Sequence, residues 1–421
     1  MGLGVVGNGV AKTLFEKADA IAQQVGCPLK IEKVLVKDLS KKRKLNISPS
    51  LLTTDPQQIL SDPEIDIVIE VIGGDTEAFE YIKEAITRGK HIVTANKEVI
   101  SKHSLELFAL ATKHKVDIRY EASVGGGIPL IAPFKRDLLA NNISAIHAII
   151  NGTTNYIVTR MAKDGLDFGT ALKQAQELGY AEANPANDID GVDAAYKLSI
   201  LATLAFRTEI RPDEIHYEGI SRLTARDFRY AKEFGYAIKL LAIAKKENHS
   251  LQVRVHPAFV PEDVLLAKVD GVFNAIQVEG DLVGKVIFYG QGAGSLPTAS
   301  AVVADVIQLA QTIKLGMHPR PQLRLYKAKK LTPISKIKTR YYIRVTVVDH
   351  PGVLAQISKI LGDRLISIAS VIQKEADEKA RTAEIVIMTH PAQESALQKA
   401  LKDIEKLAVV KEIGNFIRVA D

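Results

Sequence analysis

The sequence predicts an α/β protein: a doubly wound parallel sheet, then an α+β domain with an open sheet, then a compact βαββαβ module of ferredoxin-like topology. Three observations carry this. Short apolar strand signals alternate with helical periodicity through the first 120 residues. Between 143 and 294, strand signals are interleaved with glycine turns and one long acidic stretch. From 341 onward the order is strand, helix, strand, strand, helix, strand.

At 421 residues the chain has room for two to three domains with their own cores. Hydrophobic and charged fractions of 47% and 25% are those of an ordinary globular protein. The 55 basic residues exceed the 49 acidic ones by only six, without clustering, so nucleic-acid binding is not indicated; a phosphate-bearing cofactor suffices. Cys27 is the single cysteine, which excludes an internal disulfide and fits a reducing compartment. No run approaches the ~18 apolar residues of a membrane span. The first residues lack a basic then apolar leader pattern, so cytoplasm, or an organelle stroma, is the expected location.

Residues 1–9 contain Gly2-x-Gly4-x-x-Gly7, with Val5 and Val6 between the glycines. In a Rossmann-type βαβ unit such glycines permit a tight turn and close backbone approach to a pyrophosphate at the N-terminus of the next helix. The strand that should precede them is missing, because the sequence starts at the motif. A second strand is expected over 30–36, ending near Asp38. The basic group Lys37, Lys41, Lys42 and Arg43 reads either as a site for a ribose 2′-phosphate, favouring NADP over NAD, or as a solvated loop. Residues 65–72 form a strong strand signal ending in Gly73-Gly74-Asp75, followed by a helix over 76–88 and a strand over 91–94. Ligands bind beyond the carboxyl ends of such strands, which makes Lys97 a candidate for the cofactor–substrate crevice. A helix over 102–114 and a strand over 116–120 complete the layer.

The turn Glu121-Ala-Ser-Val-Gly-Gly-Gly-Ile-Pro129 can hold an ion through backbone oxygens or serve as a tight linker. A strand over 146–150 leads to Asn151-Gly-Thr-Thr-Asn155, which opens a helix. Between 177 and 197, five carboxylates (Glu177, Glu182, Asp188, Asp190, Asp193) precede Lys197 and a helix that is apolar nearly all round. Asn184-Pro185 and Asn187 are expected to keep Glu182 in a loop, and Asp190 to cap the helix. Asp193 and Lys197 then share a face. An exposed Asp–Lys pair of this kind is common; beside a buried segment it is also a candidate for acid–base work. Strands over 251–257, 274–278 and 284–288 follow, then the loop Tyr289-Gly-Gln-Gly-Ala-Gly294 and a helix over 297–313. Prolines 319, 321 and 333 and many lysines mark a linker. The tail's strand over 382–389 has no aromatic residue for base stacking, so small-ligand sensing is expected rather than RNA binding.

These motifs together resemble the homoserine dehydrogenases: the glycine start, Thr94-Ala-Asn-Lys97, Glu121–Pro129, Asn151–Asn155, and above all Gly179-Tyr-Ala-Glu-Ala-Asn-Pro-Ala-Asn-Asp-Ile-Asp-Gly-Val-Asp-Ala-Ala-Tyr-Lys197. The tail, with Asp349-His-Pro-Gly-Val-Leu354, resembles an ACT domain. The resemblance implies an NAD(P)-binding domain over 1–120, a catalytic and dimerisation domain over 121–318, a linker over 319–339 and a regulatory ACT domain over 340–421. It implies interconversion of L-homoserine and L-aspartate 4-semialdehyde, with Lys197 or Lys97 moving the proton and Glu182, Asp188 and Asp193 holding substrate. Gly2, Gly4, Val5, Val6, Gly7, Lys97, Gly179 and Gly292 would lie at the cofactor, and Glu121, Val124, Gly126 and Ile128 at a sodium ion. It further implies a homodimer or homotetramer, and feedback by an amino acid such as threonine, lost without loss of catalysis when 340–421 are deleted. Rival readings are a dehydrogenase of another small amino-acid aldehyde and a catalytically weak nucleotide and amino-acid sensor.

Overall fold

The computed structural model describes residues 1–43, 45–247, 250–317, 330–374, 376–377 and 381–420. They form two compact units, each assembled from separated stretches. The first gathers 1–146, 194–215 and 273–317, the second 147–193, 216–272 and 330–420. Compact packing therefore does not follow contiguous blocks of sequence.

In the first unit Ile67–Glu70, His91–Thr94 and Ile118–Arg119 form a parallel ladder, with Ile67 opposite His91 and Ile92 opposite Ile118. Burial on both faces explains why these runs are continuously apolar. Helix Lys97–His114 starts five residues earlier than its periodicity suggests, because Asn96 caps it by accepting from the Glu98 and Val99 amides. The expected strand over 30–36 shrinks to Val34–Leu35, paired in parallel with the unforeseen strand Leu52–Thr53. The expected gap at the start of the sheet is partly closed. The Gly2 N–H donates to the Leu35 carbonyl (3.1 Å), and the Val71 N–H donates to the Met1 carbonyl (3.0 Å), so the first two residues bridge both ladders. Helices Val5–Glu16, Ala18–Val25 and Ser295–Lys314 bury one apolar cluster that includes Val10, Ile21, Val302 and Leu309. Among the described residues Ser295–Lys314 alone is long and apolar enough to cross a membrane; its buried residues belong to this cluster, as in a core helix.

The second unit is built on the long antiparallel pair Tyr236–Glu247 and Ser250–Pro261, in register from Tyr236 opposite Pro261 to Glu247 opposite Ser250. The tail has the expected βαββαβ order: Tyr341–Val348, Val353–Asp363, Ile368–Ile372, Thr382–Thr389, Glu394–Glu405 and Val410–Val419. Tyr341–Val348 pairs antiparallel with both Thr382–Thr389 and Val410–Val419, over a core of Ile343, Val345, Ile357, Leu397 and Ile404.

Within the second unit, 340–420 share a sheet and buried ion pairs with the rest of the unit. Arg418 and Val419 pair in parallel with Ala258 and Phe259, so the tail's sheet continues into the Ser250–Pro261 strand. Arg418 makes two 2.8 Å bonds to Glu218 and further bonds to Glu394. Arg344 donates to Asp227 and Glu384, and Tyr342 and Asn415 donate to the same Asp227, which is 0% exposed. Burial disfavours the Glu218 carboxylate, yet the bonds from His216 and Arg418 hold its pKa well below the carboxylate range. Nor is the predicted linker bare where it is described. Lys330–Leu331 pairs with Ser250 and Leu251, and Lys338–Thr339 pairs with Ala392–Gln393; residues 318–329 lie outside the described residues. Removing one partner of a buried pair costs about 3–5 kcal/mol. Arg344→Met should therefore lower unfolding free energy by about that much in urea titrations, and deletion of 340–421 should leave no cooperative unfolding of the second unit. Native-like stability of either variant would contradict this account.

Candidate active site

A groove of about 1410 Å³ opens in the first unit, lined by Gly2, Gly4, Val5, Asn8 and Lys12 on one side and by Lys37, Asp38, Lys41, Lys42 and Arg43 on another. Gly2 has φ +92°, and a Cβ there would meet the Val71 carbonyl at 2.8 Å; a Cβ on Gly7 would run into the Gly2 carbonyl. Both positions therefore require glycine. Val6 packs on the apolar cluster, and Gly4 precedes the first residue of helix Val5–Glu16, whose free N–H groups suit a phosphate. Arg43 folds back onto the carbonyls of Asp38, Leu39 and Lys41, shaping the loop, while Lys37, Lys41 and Lys42 stay exposed at its rim. The Asp38 carboxylate accepts the Ser40 amide and hydroxyl, both at 2.7 Å, and these bonds lower its pKa.

Lys97 is the first residue of its capped helix and is half-buried. Its corner is organised by Glu70, which is 0% exposed. Glu70 accepts the Thr94 hydroxyl at 2.6 Å and the Ile72 and Gly73 amides, and Asn96 donates to the Gly74 carbonyl. Lys102 pairs with Asp75 at 2.6 Å and lies over the Tyr196 ring, 5.3 Å from its centroid. The hydrogen bond from Lys102 lowers the Asp75 pKa and raises its own.

The acidic stretch differs from expectation in two details. Ala186–Ile189 is a one-turn helix despite Pro185, which takes its N-cap position, and the apolar helix runs Val192–Phe206, so Asp190 ends the short helix rather than capping the long one. Asp193 and Lys197 do lie four apart on that helix. Asn151 draws two predicted carboxylates together: its amide nitrogen donates to Asp188 at 2.6 Å and to Asp193 at 2.8 Å, while its oxygen caps helix Gly152–Asp164. Asp193 is 4% exposed, Asp188 half-buried, and Glu182 exposed in its loop. Gly179, at φ +75°, follows helix Phe168–Glu177 and ends it. Asn151 was visible as part of a motif, but its role as the link between two carboxylates depends on folding and had no signal in spacing.

At the turn 121–128 the Glu121 side chain is already engaged, accepting the amides of Leu130, Ile131 and Ala132. A cation there would be held by the backbone oxygens of Glu121, Val124, Gly126 and Ile128, not by this carboxylate. The Gly126 backbone is packed on Gly292, and Gly292 on Asn274, whose buried amide nitrogen and oxygen have no hydrogen-bond partner among the described residues. Beneath the turn, Asp305 accepts the Glu121 N–H at 2.8 Å, and burial pushes its carboxyl up from 3.8 to about 7. Lys135, 4.2 Å from the Tyr120 ring centroid, is pulled by burial down to about 8. Native Asp305 keeps its proton between about pH 4 and 7 while the unfolded chain has lost it, so this residue's contribution to stability falls as pH rises through that window. Asp305→Asn keeps an acceptor oxygen and removes the titration. Its melting temperature should gain on the parent from pH 4 to 8, and parallel profiles would reject a raised native pKa.

The glycine turn, parallel ladder and basic-rimmed groove define a dinucleotide-binding α/β protein carrying a C-terminal βαββαβ module. Comparison with known proteins narrows this. Residues 2–121 match the homoserine dehydrogenase NAD-binding domain, 129–307 the homoserine dehydrogenase domain, and 341–409 the ACT domain. Homoserine dehydrogenase of Neisseria gonorrhoeae is 42% identical over 425 residues, spanning 100% of this chain and 97% of that protein. The Bacillus subtilis enzyme is 38% identical over 419 residues, with the same coverage. The crystal structure of a homoserine dehydrogenase from Thiobacillus denitrificans superposes with a TM-score of 0.93 at 42% identity, covering 100% of this chain and 97% of that one. A hyperthermophilic archaeal homoserine dehydrogenase in complex with NADPH gives 0.62 at 29% identity, over 74% and 96%. This chain belongs to the homoserine dehydrogenase family and is an NAD(P)-dependent oxidoreductase.

Proposed function

We propose that the chain interconverts L-homoserine and L-aspartate 4-semialdehyde with NADP, with 1–120 as the cofactor domain, 121–318 as the catalytic and dimerisation domain, 319–339 as the linker and 340–421 as the amino-acid-responsive module. The observation that carries it is the charged end of helix Val192–Phe206: Asp193, tied to Asp188 through Asn151, lies one turn from Lys197. When bound, the reduced nicotinamide supplies hydride to the aldehyde carbon. The oxygen of that carbonyl gains negative charge and needs a proton, and the Lys197 ammonium supplies it. Asp193, Asp188 and Glu182 hold the substrate's α-ammonium. Lys97, at the end of the His91–Thr94 strand, sits toward the nicotinamide and adds positive charge. Gly2, Gly4, Val5, Val6 and Gly7 receive the pyrophosphate, Gly179 and Gly292 border the cofactor, and a sodium ion held by the 121–128 backbone oxygens fixes that turn.

The basic rim argues for NADP over NAD. With the Asp38 carboxylate turned to Ser40 and Lys37, Lys41 and Lys42 exposed beside it, a 2′-phosphate meets net positive charge. Threonine is the amino acid proposed for the tail, a homodimer the proposed assembly, and cytoplasm the proposed location.

Steady-state assay with homoserine and NADP is the direct test; no NADP-dependent oxidation of homoserine by purified protein would end this reading. Lys197→Ala should lower kcat by roughly 10²–10⁴-fold with a much smaller change in KM; near-native turnover would assign the proton to another group. Replacing Lys37, Lys41 and Lys42 together by alanine should raise KM for NADPH at least tenfold while leaving NADH little changed. A uniform loss with both cofactors would remove the 2′-phosphate role.

A further inference from the structure

Residues 216–227 form a strap that lies wholly within the second unit and meets both the tail and the acidic turn 188–193. His216–Tyr217 pairs with Arg254 and Val255, and the Glu218 N–H extends that ladder by donating to the Val255 carbonyl at 2.8 Å. Beyond this point the tail holds the strap twice. Arg418 forks onto both Glu218 oxygens, each at 2.8 Å, in the bidentate geometry of the stronger ion pairs. At the far end Arg344, Tyr342 and Asn415 all donate to Asp227. Arg344 and Asn415 also donate to the Thr224 hydroxyl and the Arg222 carbonyl, respectively.

Between these anchors the strap presses on the acidic turn backbone to backbone. The Ile220 N–H donates to the Ile189 carbonyl at 2.9 Å, and Ile220 is 0% exposed. A Cβ on Gly219 would run into the Ile189 carbonyl and lie 2.7 Å from the Asp190 Cα. On the facing side, a Cβ on Gly191 would lie 3.2 Å from the Glu218 carbonyl. Glycine at 219 therefore lets the two chains meet with no side chain between them. Close-packed backbone transmits a displacement instead of absorbing it. Ile189 directly follows Asp188, Gly191 comes shortly before Asp193, and the Gly191 N–H donates to the Asp188 carbonyl at 3.1 Å. Whatever fixes 218–220 thus fixes the stretch between the two acids tied to Asn151.

We propose that Glu218 is a positioning residue: through it the tail's Arg418 sets the spacing of Asp188 and Asp193, and with it the affinity for homoserine. This rests on the reading above that these two side chains hold the substrate's ammonium. Glu218 acts on the turn through Gly219 and Ile220. The tail thereby bears on the substrate grip without lending it a residue.

Two substitutions in the full chain break this route at different points. Glu218→Gln weakens the Arg418 fork, whereas Gly219→Ala keeps the fork and wedges a methyl group between strap and turn. Ile357→Val, which thins the tail's core without touching the strap, is the stability control. Hydrogen exchange is read at the Ile220 and Gly191 amides, beside steady-state kinetics with homoserine and NADP. Both strap variants are expected to speed exchange at these amides roughly tenfold. They should raise KM for homoserine roughly three- to tenfold, with kcat and KM for NADP little changed. The double variant should be no worse than the more affected single one, because both act at one contact. General damage reads differently: a smaller active fraction lowers kcat and leaves KM alone. Ile357→Val should lower the melting temperature and keep the parent KM. Unchanged exchange in both strap variants overturns the proposal, as does an unchanged homoserine KM despite faster exchange, or an equal KM rise in the control. If Glu218→Gln does not fold, Gly219→Ala carries the test by itself. A parent chain that fails to oxidise homoserine faults the reading of the site, and exchange at Ile220 and Gly191 still decides whether the strap holds the turn.

Discussion

A buried polar group must find a partner, and this requirement shapes both units. In the first unit Glu70 serves three donors at the strand ends and so holds the corner that presents Lys97. Glu121 does the same for three amides below the 121–128 turn. In the second unit Asn151 is shared by two carboxylates that would otherwise repel one another. Arg344 and Arg418 each answer two carboxylates, Asp227 and Glu384 for the first and Glu218 and Glu394 for the second. None of these side chains performs the proposed reaction; each fixes the position of a neighbouring element.

The fold was largely readable because its periodicities are strong and uninterrupted. Tyr341–Val348 and Thr382–Thr389 occupy the spans expected of them, and Gly152–Asp164 begins where Asn151 announces it. Two kinds of feature escaped. One depends on tertiary pairing: the 30–36 strand keeps only Val34–Leu35 because a strand is a statement about neighbours, and its neighbour on one side is a cavity. The other depends on which distant group answers a charge. Arg418 and Glu218 are 200 residues apart, and no local pattern links them.

The candidate site was legible at the level of residue type and less so at the level of role. Clustered acids before a lysine at i+4 spacing marked the end of helix Val192–Phe206, and Asp193 is indeed buried there. Glu121 illustrates the limit. Its carboxylate accepts the amides of Leu130, Ile131 and Ala132, an engagement that the glycine-turn pattern does not announce.

The shared ladder between Arg418–Val419 and Ala258–Phe259 has an engineering consequence. A regulatory module on a tether can be exchanged between relatives like a cassette. Here a working chimera would have to carry Glu218, Asp227 and the Ser250–Pro261 strand along with the donor's tail, because half of the seam belongs to each side. Recombination breakpoints placed at residue 340 would cut through that seam, whereas breakpoints that keep both halves from one parent would preserve it.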